Sequence, residues 1–564
     1  MEHVPPRESS LVLARMDRLP EADRAALRAA SVVGQRFPLA LVRDLVQMPD
    51  YSCDVLMAHF LVLPAGDEYL FAHALIRDGV YASLTRARRA DLHRAAAKWY
   101  GARDPALVAE HLDRGDAPEA PRAYLDAALA QATALQPERA LALAERGASL
   151  AKNPHDVVAL NMLRGRLHCE SGAGQRAIEA YDAALAAAQL PAERCRALIG
   201  IAAGNRLLSR AEQAFAALAE AETLSQGLAR ESSELHYIRG NLEFAHGDIA
   251  ACRSEHEAAL GFADSISDPL WELNATSGLG DADYAEARMS RALRRFRRCV
   301  ELADAHEFPR AAAANLVMVG YSRFFLLEFD EAFADLEAAR ALAVRLGNRF
   351  AEVFSFQAQC SLLIFCNRYA EARPFLERGL ELARAIGAKR YEATLLTELA
   401  DIELAAGRRP QARERIEQAL AMFRETGGMG FWGPMALGLR ARLQEHETER
   451  ERDRHEAEAI LAAGCLSHNH IGYHLYCIDD ALDRREWARA LGHAAALETY
   501  TAREPLPYCD FLVARARALV GLSTTPDDEA LQRMLARLQE EAQRLRWPIG
   551  WPVGASGADW RALA

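Results

Sequence analysis

The sequence predicts an all-α protein, a solenoid of helical hairpins, and three columns of residues that return every forty positions predict it. Gly200, Gly240, Gly280 and Gly320 form the first, continued by Cys360 and Ala400. The second runs Cys252, Ala292, Ala332, Ala372 and Ala412. The third runs Ala259, Cys299, Ala339, Gly379 and Ala419, and the larger residues His256, Phe296, Leu336, Leu376 and Ile416 fall between the last two columns. Offsets of four and then three residues put this small–large–small stripe on one helix face. Glycine inside a helix costs about 0.8–1 kcal/mol relative to alanine. Its return at a fixed place therefore points to a neighbour too close for a side chain, as in hairpins that bury their stripes against one another.

Taken in order, residues 1–10 read as a polar, proline-bearing lead. Leu11 to Gly34 carries two apolar-periodic helices with a break at Leu19-Pro20. Phe37-Pro38-Leu39 opens a third helix ending near Pro49, and Cys53 to Phe60 makes a short fourth. Leu61-Val62-Leu63-Pro64 and Tyr69-Leu70-Phe71 flank the polar turn Ala65-Gly66-Asp67-Glu68, a hairpin. Helix resumes over Ala72 to Ser83, so residues 11–100 read as a winged-helix-like domain. Alanine-rich connecting helices fill 101–155. The repeat array occupies 156–430, with a first unit from Val157 and later ones near Glu193, Ser233, Leu270, Ala311, Ala351 and Tyr391. Thr426-Gly427-Gly428-Met429-Gly430 breaks it. Less regular helices follow over 431–546, and 547–564 reads as a tail. A forty-residue period exceeds the ~34 of a minimal tetratricopeptide and touches the ~40–47 of HEAT-type units. The stripe favours tetratricopeptide-like hairpins with longer helices.

Composition narrows the function. An apolar share of 51% and a charged share of 26% are ordinary for a folded protein in water. The formal net charge of -12 disfavours a general nucleic-acid or anionic-membrane surface. The start, Met1-Glu2-His3-Val4-Pro5-Pro6-Arg7-Glu8, has no apolar signal core, and no apolar run nears the ~18 residues of a membrane span. The ten cysteines are scattered, several at small positions of the repeat, as reduced buried thiols would be. A cytoplasmic location is the expectation.

A resemblance to a known family rests on motifs in order. Leu13-Ala14-Arg15-Met16-Asp17-Arg18-Leu19 precedes Ala29-Ala30-Ser31-Val32-Val33-Gly34-Gln35-Arg36-Phe37. Phe71-Ala72-His73-Ala74-Leu75-Ile76-Arg77-Asp78-Gly79-Val80-Tyr81, Arg88-Arg89 and Leu92-His93 follow. This segment resembles the winged helix after the ATPase core of large bacterial signalling ATPases of the STAND type. Gly278-Leu279-Gly280-Asp281-Ala282-Asp283-Tyr284, Ser467-His468-Asn469-His470 and Leu497-Glu498-Thr499-Tyr500 are similar to the same family. The resemblance implies tetratricopeptide-like repeats after the winged helix, and in many members a class III adenylate or guanylate cyclase ahead of the ATPase.

Catalytic chemistry is sparse. A phosphate-binding P-loop needs glycine followed by lysine, but Lys98, Lys152 and Lys389 each follow alanine. No strand-borne aspartate pair of the cyclase kind is visible, so neither a catalytic residue nor a cofactor is assigned. Cys465, His470, His474 and Cys477, with His468, form the densest metal-like cluster. His470 and His474 share a helix face, as zinc-binding histidines often do. The plainer reading is core cysteines beside a helix start, and no metal is assigned. Arg291, Arg294, Arg295 and Arg298, with Arg297, form a basic helix face suited to an anion or a protein partner. The plainer reading is a solvated face paired with Asp281, Asp283 and Glu286. His73 and His93 read as packing or hydrogen-bonded residues. Phe324, Phe325, Phe354, Phe356 and Phe365 read as core, some of them open to the concave groove.

These readings converge on a non-enzymatic regulatory module in bacterial signal transduction, with a concave surface that takes a protein, a peptide or a small effector. By resemblance it serves an ATPase or cyclase partner. The alternative is the severed C-terminal half of such an ATP-binding cyclase–ATPase. A winged-helix DNA-binding regulator is a weaker alternative, since Arg77, Arg86, Arg88 and Arg89 are offset by nearby acids.

Overall fold

The computed structural model describes residues 14–208 and 210–549; the polar lead and residues 550–564 of the tail lie outside them. The chain divides into two compact units, Met1–Leu207 and Leu208–Ala564. No described helix is long and apolar enough to cross a membrane.

The first unit begins with α1 (Glu21–Val33), β1 (Arg36–Pro38), α2 (Leu39–Val46), α3 (Asp54–Ala58), β2 (Val62–Ala65), β3 (Glu68–Phe71), α4 (Ala74–Ser83) and α5 (Arg86–Tyr100). The strands form one antiparallel sheet in the order β1-β3-β2. The expected hairpin is present, tightened to a two-residue turn at Gly66-Asp67. Phe37 and Pro38, expected to open a helix, instead form β1, with Phe37 opposite Tyr69. A residue before proline is pushed out of the α region, so the chain stays extended until Leu39. Phe37 is fully buried and meets the Phe71 ring edge-on at 5.6 Å. Helices then run in succession: α6 (Pro105–Arg114), α7 (Ala120–Thr133), α8 (Pro137–Leu150), α9 (Pro154–Glu170), α10 (Gly174–Ala187) and α11 (Pro191–Leu207). Hairpin packing is already present in α7 and α8, ahead of the expected first unit.

The second unit opens with α12 (Ala211–Leu224), α13 (Ala229–His246) and α14 (Ile249–Ile266). Eight helices follow: α15 (Pro269–Ala285), α16 (Met289–Ala305), α17 (Pro309–Phe325), α18 (Phe329–Arg345), α19 (Arg349–Phe365), α20 (Tyr369–Ala385), α21 (Lys389–Ala405) and α22 (Arg409–Glu425). Each has 17 residues. Three-residue links join them, and the middle residue of every link has left-handed backbone: Ala287, Glu307, Leu327, Gly347, Asn367, Gly387 and Gly407, with Gly427 after α22. Each link is closed by the amide of its third residue donating back into the helix, as from Arg288 to the Asp283 carbonyl at 2.8 Å. The forty-residue period is thus two half-periods of twenty. The segment 426–430, expected to break the array, is another such link, with Gly428 donating to the Phe423 carbonyl at 2.8 Å.

The columns pack as hairpin geometry requires. A methyl group on Gly240 would lie 2.7 Å from the His256 ring, one on Gly280 2.7 Å from Phe296, and one on Gly320 2.9 Å from Leu336. In each case a small residue on the first helix seats the large residue sixteen positions on in the second. Ala292, Ala332, Ala372 and Ala412 are fully buried beside them.

After α22 come α23 (Met429–Leu443), α24 (Glu447–Ala463), α25 (Ser467–Asp483), α26 (Trp487–Thr501), α27 (Pro507–Thr524) and α28 (Glu529–Arg544). They do not merely extend the row; they turn back onto the helices at its start. The Tyr500 hydroxyl donates to the Ala285 carbonyl at 2.8 Å, the Ser290 amide to Glu504 at 2.7 Å, and the Tyr508 hydroxyl to the Phe365 carbonyl at 3.1 Å. Phe324, Phe325 and Phe365 gather around Tyr508, and Trp547 stacks on Tyr508 at 4.9 Å. The α13–α14 and α24–α25 turns abut backbone to backbone: a methyl group on Gly247 would lie 2.8 Å from the Gly464 carbonyl oxygen. The second unit therefore closes on itself.

Two substitutions check this account. Gly280→Ala should cost about 1–3 kcal/mol through overpacking, with part recovered by Phe296→Leu, read from chemical denaturation. Glu307→Gly, at an exposed left-handed link, should raise stability by up to about 1 kcal/mol by removing the Cβ clash of that conformation.

Candidate functional site

Closure leaves a cavity of about 240 Å³ inside the second unit, lined entirely by the first helices of successive hairpins and by the returning helices. Aromatic rings encircle it. Tyr284 lies 6.1 Å from Tyr321, Tyr321 6.3 Å from Phe354, and Phe354 6.0 Å from Tyr391. The Arg390 guanidinium sits 5.8 Å from the Tyr391 ring and 4.3 Å over Phe431, bridging to the returning helices. Phe431 then lies 5.8 Å from His468, which lies 6.1 Å from Tyr284 and completes the belt. The belt descends the first helices: Tyr284 and Tyr321 lie in the last two turns of α15 and α17, Phe354 in the second turn of α19 and Tyr391 in the first turn of α21. Tyr284, Tyr321, Trp432 and His468 are buried, whereas Arg390 and Ala314 are exposed at the mouth.

Hydrogen bonds fix the deep side. His468 Nε2 is 2.8 Å from the Phe431 carbonyl and Nδ1 is 3.2 Å from the Tyr284 hydroxyl. A carbonyl can only accept, so Nε2 carries the proton and Nδ1 accepts from Tyr284. Burial lowers the His468 imidazole to about 4 and keeps it neutral. Gln357 donates to Ser361 at 2.6 Å and to the Tyr321 hydroxyl at 3.1 Å. Ser361 in turn donates to Glu398, whose carboxyl burial pushes up to about 7. Ser277 donates to Asn315 at 3.0 Å.

Three polar groups on the lining lack partners. Asp281 makes no hydrogen bond or ion pair among the described residues, and burial alone raises its carboxyl to about 7. The buried Trp432 Nε1–H has no acceptor. Arg390 has no carboxylate within ion-pair distance among the described residues, and its only close neighbours are the two rings. A half-buried carboxyl and a buried ring N–H without partners, with an exposed guanidinium at the mouth, make this cavity the candidate site.

The residues singled out from sequence fall elsewhere. Arg291 and Arg295 surround the buried Asp283 carboxylate with Arg253, at 3.6, 2.8 and 2.9 Å, and Arg298 pairs with Glu272 at 3.0 Å. Asp283 answers this patch; Asp281, also expected to pair with it, lines the cavity instead. His470 stacks on Tyr500 at 4.0 Å, and His474 Nδ1 meets His493 Nδ1 at 3.1 Å. These histidines border a separate, shallower hollow of about 530 Å³ with Glu458 and Arg489. No group of three His, Cys, Asp or Glu residues able to hold a metal occurs among the described residues. His73 caps α4, and His93 lies between the Tyr81 hydroxyl at 2.9 Å and His111 at 2.8 Å. Arg86 pairs with Asp116 at 2.8 Å and Arg77 with Asp78 at 2.7 Å. Of the expected groove aromatics, Phe354 lines the cavity and Phe356 packs against Phe375.

This arrangement defines a helical-hairpin repeat protein enclosing a ligand-sized cavity. The tetratricopeptide repeat family matches residues 358–425. No curated protein matches the sequence. Among solved structures, the chain is similar to a Signal Transduction ATPase with Numerous Domains (STAND) protein with a tetratricopeptide repeat sensor from Pyrococcus horikoshii. The identity is 12% and the TM-score 0.50, over 74% of this chain and 65% of that one. It is also similar to a Rap protein complexed with competence and sporulation factor, at 11% identity and TM-score 0.51, over 61% of this chain and 98% of that one. The fold is that of tetratricopeptide-type repeats, and this chain spans just under two thirds of the STAND protein's length.

The buried charges set a pH response. Unfolded histidine binds a proton near pH 6.5, but folded His468 does so only near 4. Between these values the unfolded chain holds more protons, so acidification from pH 7 to 5 should remove about 2 kcal/mol through this residue. Asp281 works oppositely, its folded carboxyl retaining a proton that the unfolded one has lost. Asp281→Asn should therefore raise the melting temperature at pH 8 and steepen its fall toward pH 5 in a thermal-melt series.

Proposed function

We propose that this chain is a non-catalytic recognition module whose second unit senses a small effector and passes that occupancy to a signalling partner. The observation that carries the reading is the aromatic-belted cavity with unanswered polar groups, enclosed where the ends of the second unit meet. A hollow of about 240 Å³ that opens at Ala314 and Arg390 suits a compact ligand better than an extended peptide, which narrows the expectation of a protein, peptide or effector in the groove. Ligand binding would bias the equilibrium between closed and open forms, a population shift without bond chemistry.

The partner follows from resemblance. Likeness to a STAND protein with a repeat sensor supports coupling to an ATPase, and the sequence motifs extend this to proteins carrying a cyclase. In that reading the helices and small sheet before Tyr100 form a winged-helix-like head that docks on a nucleotide-binding core. A cytoplasmic setting agrees with that role. The Rap protein's complex with competence and sporulation factor supports, by analogy of fold, a repeat interior that holds a regulatory ligand.

Hydrogen exchange tests the reading. The low-molecular-mass filtrate of a bacterial lysate should slow amide exchange in α13–α25, with the effect removed by Ala314→Trp, which fills the mouth. Exchange unchanged by any filtrate, or intrinsic ATPase or cyclase turnover by the purified chain, would overturn it.

A further inference from the structure

Resting on that reading, the geometry points to a class of occupant: we propose that the cavity binds a small amino-acid-like zwitterion, its ammonium at Asp281 and its carboxylate at Arg390. Asp281 lies in the last two turns of α15, beside the Tyr284 and Tyr321 rings. A carboxylate next to aromatic faces is the combination that holds an ammonium group, through charge and through the rings' negative faces. Among the described residues nothing pairs with it. The tyrosine hydroxyls are committed, Tyr284 to His468 and Tyr321 to Gln357. Asp283, two residues on, takes the neighbouring arginines.

Arg390 supplies the opposite charge. Its guanidinium is pinned over Phe431 at the mouth, close to the bend where the belt passes to the returning helices. Among the described residues no carboxylate pairs with it, and a carboxylate is the anion that this planar fork matches in two-point geometry. Arg390 and Asp281 line the same cavity yet do not pair, so a molecule carrying both charges answers both. A cation alone would meet Arg390 unneutralised, and an anion alone would meet Asp281. Phe354 and Trp432 line the same cavity, and the free ring N–H of Trp432 offers a further donor to the carboxylate or to a side-chain acceptor.

Volume sets the size. A dry cavity of about 150 Å³ accommodates a benzene ring. The cavity of about 240 Å³ here therefore takes a ring or branched chain with a short charged backbone, and excludes a folded peptide. The amides of Asn315 and Gln357 on the walls are bonded within the protein, so the ligand's middle meets mostly apolar surface.

The test is a thermal-shift screen of the full chain against each standard L-amino acid at about 5 mM, above the millimolar constants that a few contacts give. Calorimetry on the best binder follows, beside its decarboxylated amine and its deaminated acid. At least one amino acid should bind, and both one-charge analogues should bind at least about tenfold more weakly, the change expected for losing one charge-assisted hydrogen bond. Asp281→Asn should abolish the advantage of the amino acid over the deaminated acid, and Arg390→Gln its advantage over the amine. Both variants should still unfold in one cooperative transition, since neither side chain holds another part of the fold. No amino acid binding, equal binding of either analogue, or unchanged affinity in both variants would overturn the proposal. Protection by the filtrate with none by amino acids would remove this ligand class and leave the sensing role standing. Failure of both would remove the role as well.

Discussion

Everything in the second unit depends on how closely two helices of one hairpin approach. Where Gly240 meets His256, Gly280 meets Phe296 and Gly320 meets Leu336, the missing side chain on one helix is the socket for the large side chain on the other. Each socket fixes the relative rotation of its pair, because only one face of the first helix has the space. The same first helices carry Tyr284, Tyr321, Phe354 and Tyr391 to the belt, each nearer the N-terminus of its helix than the one before.

The interior is not optimised for stability. An apolar lining without Asp281 would avoid the cost of a half-buried carboxyl without a partner, and an acceptor opposite Trp432 would satisfy its ring N–H. Proteins tend to break such local rules at functional sites. Other buried carboxylates of this unit do have cations: Asp283 has three arginines, and Asp453 has Arg440 at 2.6 Å. The contrast between Asp283 and Asp281, two residues apart on α15, separates a carboxylate that builds the fold from one that faces a ligand.

The periodicity was legible because packing sockets recur in sequence as well as in space; small residues at forty-residue intervals have no other economical explanation. The links were not. Their shared property is a left-handed backbone, and Ala287, Glu307, Leu327 and Asn367 adopt it as Gly347 and Gly387 do, so no residue type marks the twenty-residue half-period. The cavity was hidden for a different reason. Its walls join residues more than a hundred positions apart, such as Tyr284 and His468, brought together only by the return of α23–α28. The histidine run at 468–474 drew attention as a metal cluster because its spacing suits a helix face. Its partners, Tyr284, Phe431, Tyr500 and His493, come from elsewhere in the chain. Asp281 reads in sequence as a counter-charge for nearby arginines, but the two-residue step to Asp283, about half a helical turn, separates their surroundings.

The abutting backbones at Gly247 and Gly464 carry a consequence for how such a molecule can evolve. An open row of hairpins tolerates gain or loss of a unit, since each contacts only its neighbours. A row whose ends touch does not. One hairpin more or fewer would shift the two turns out of register and leave the interior gaping or crushed, so the number of hairpins between them is locked, as the number of staves is in a barrel.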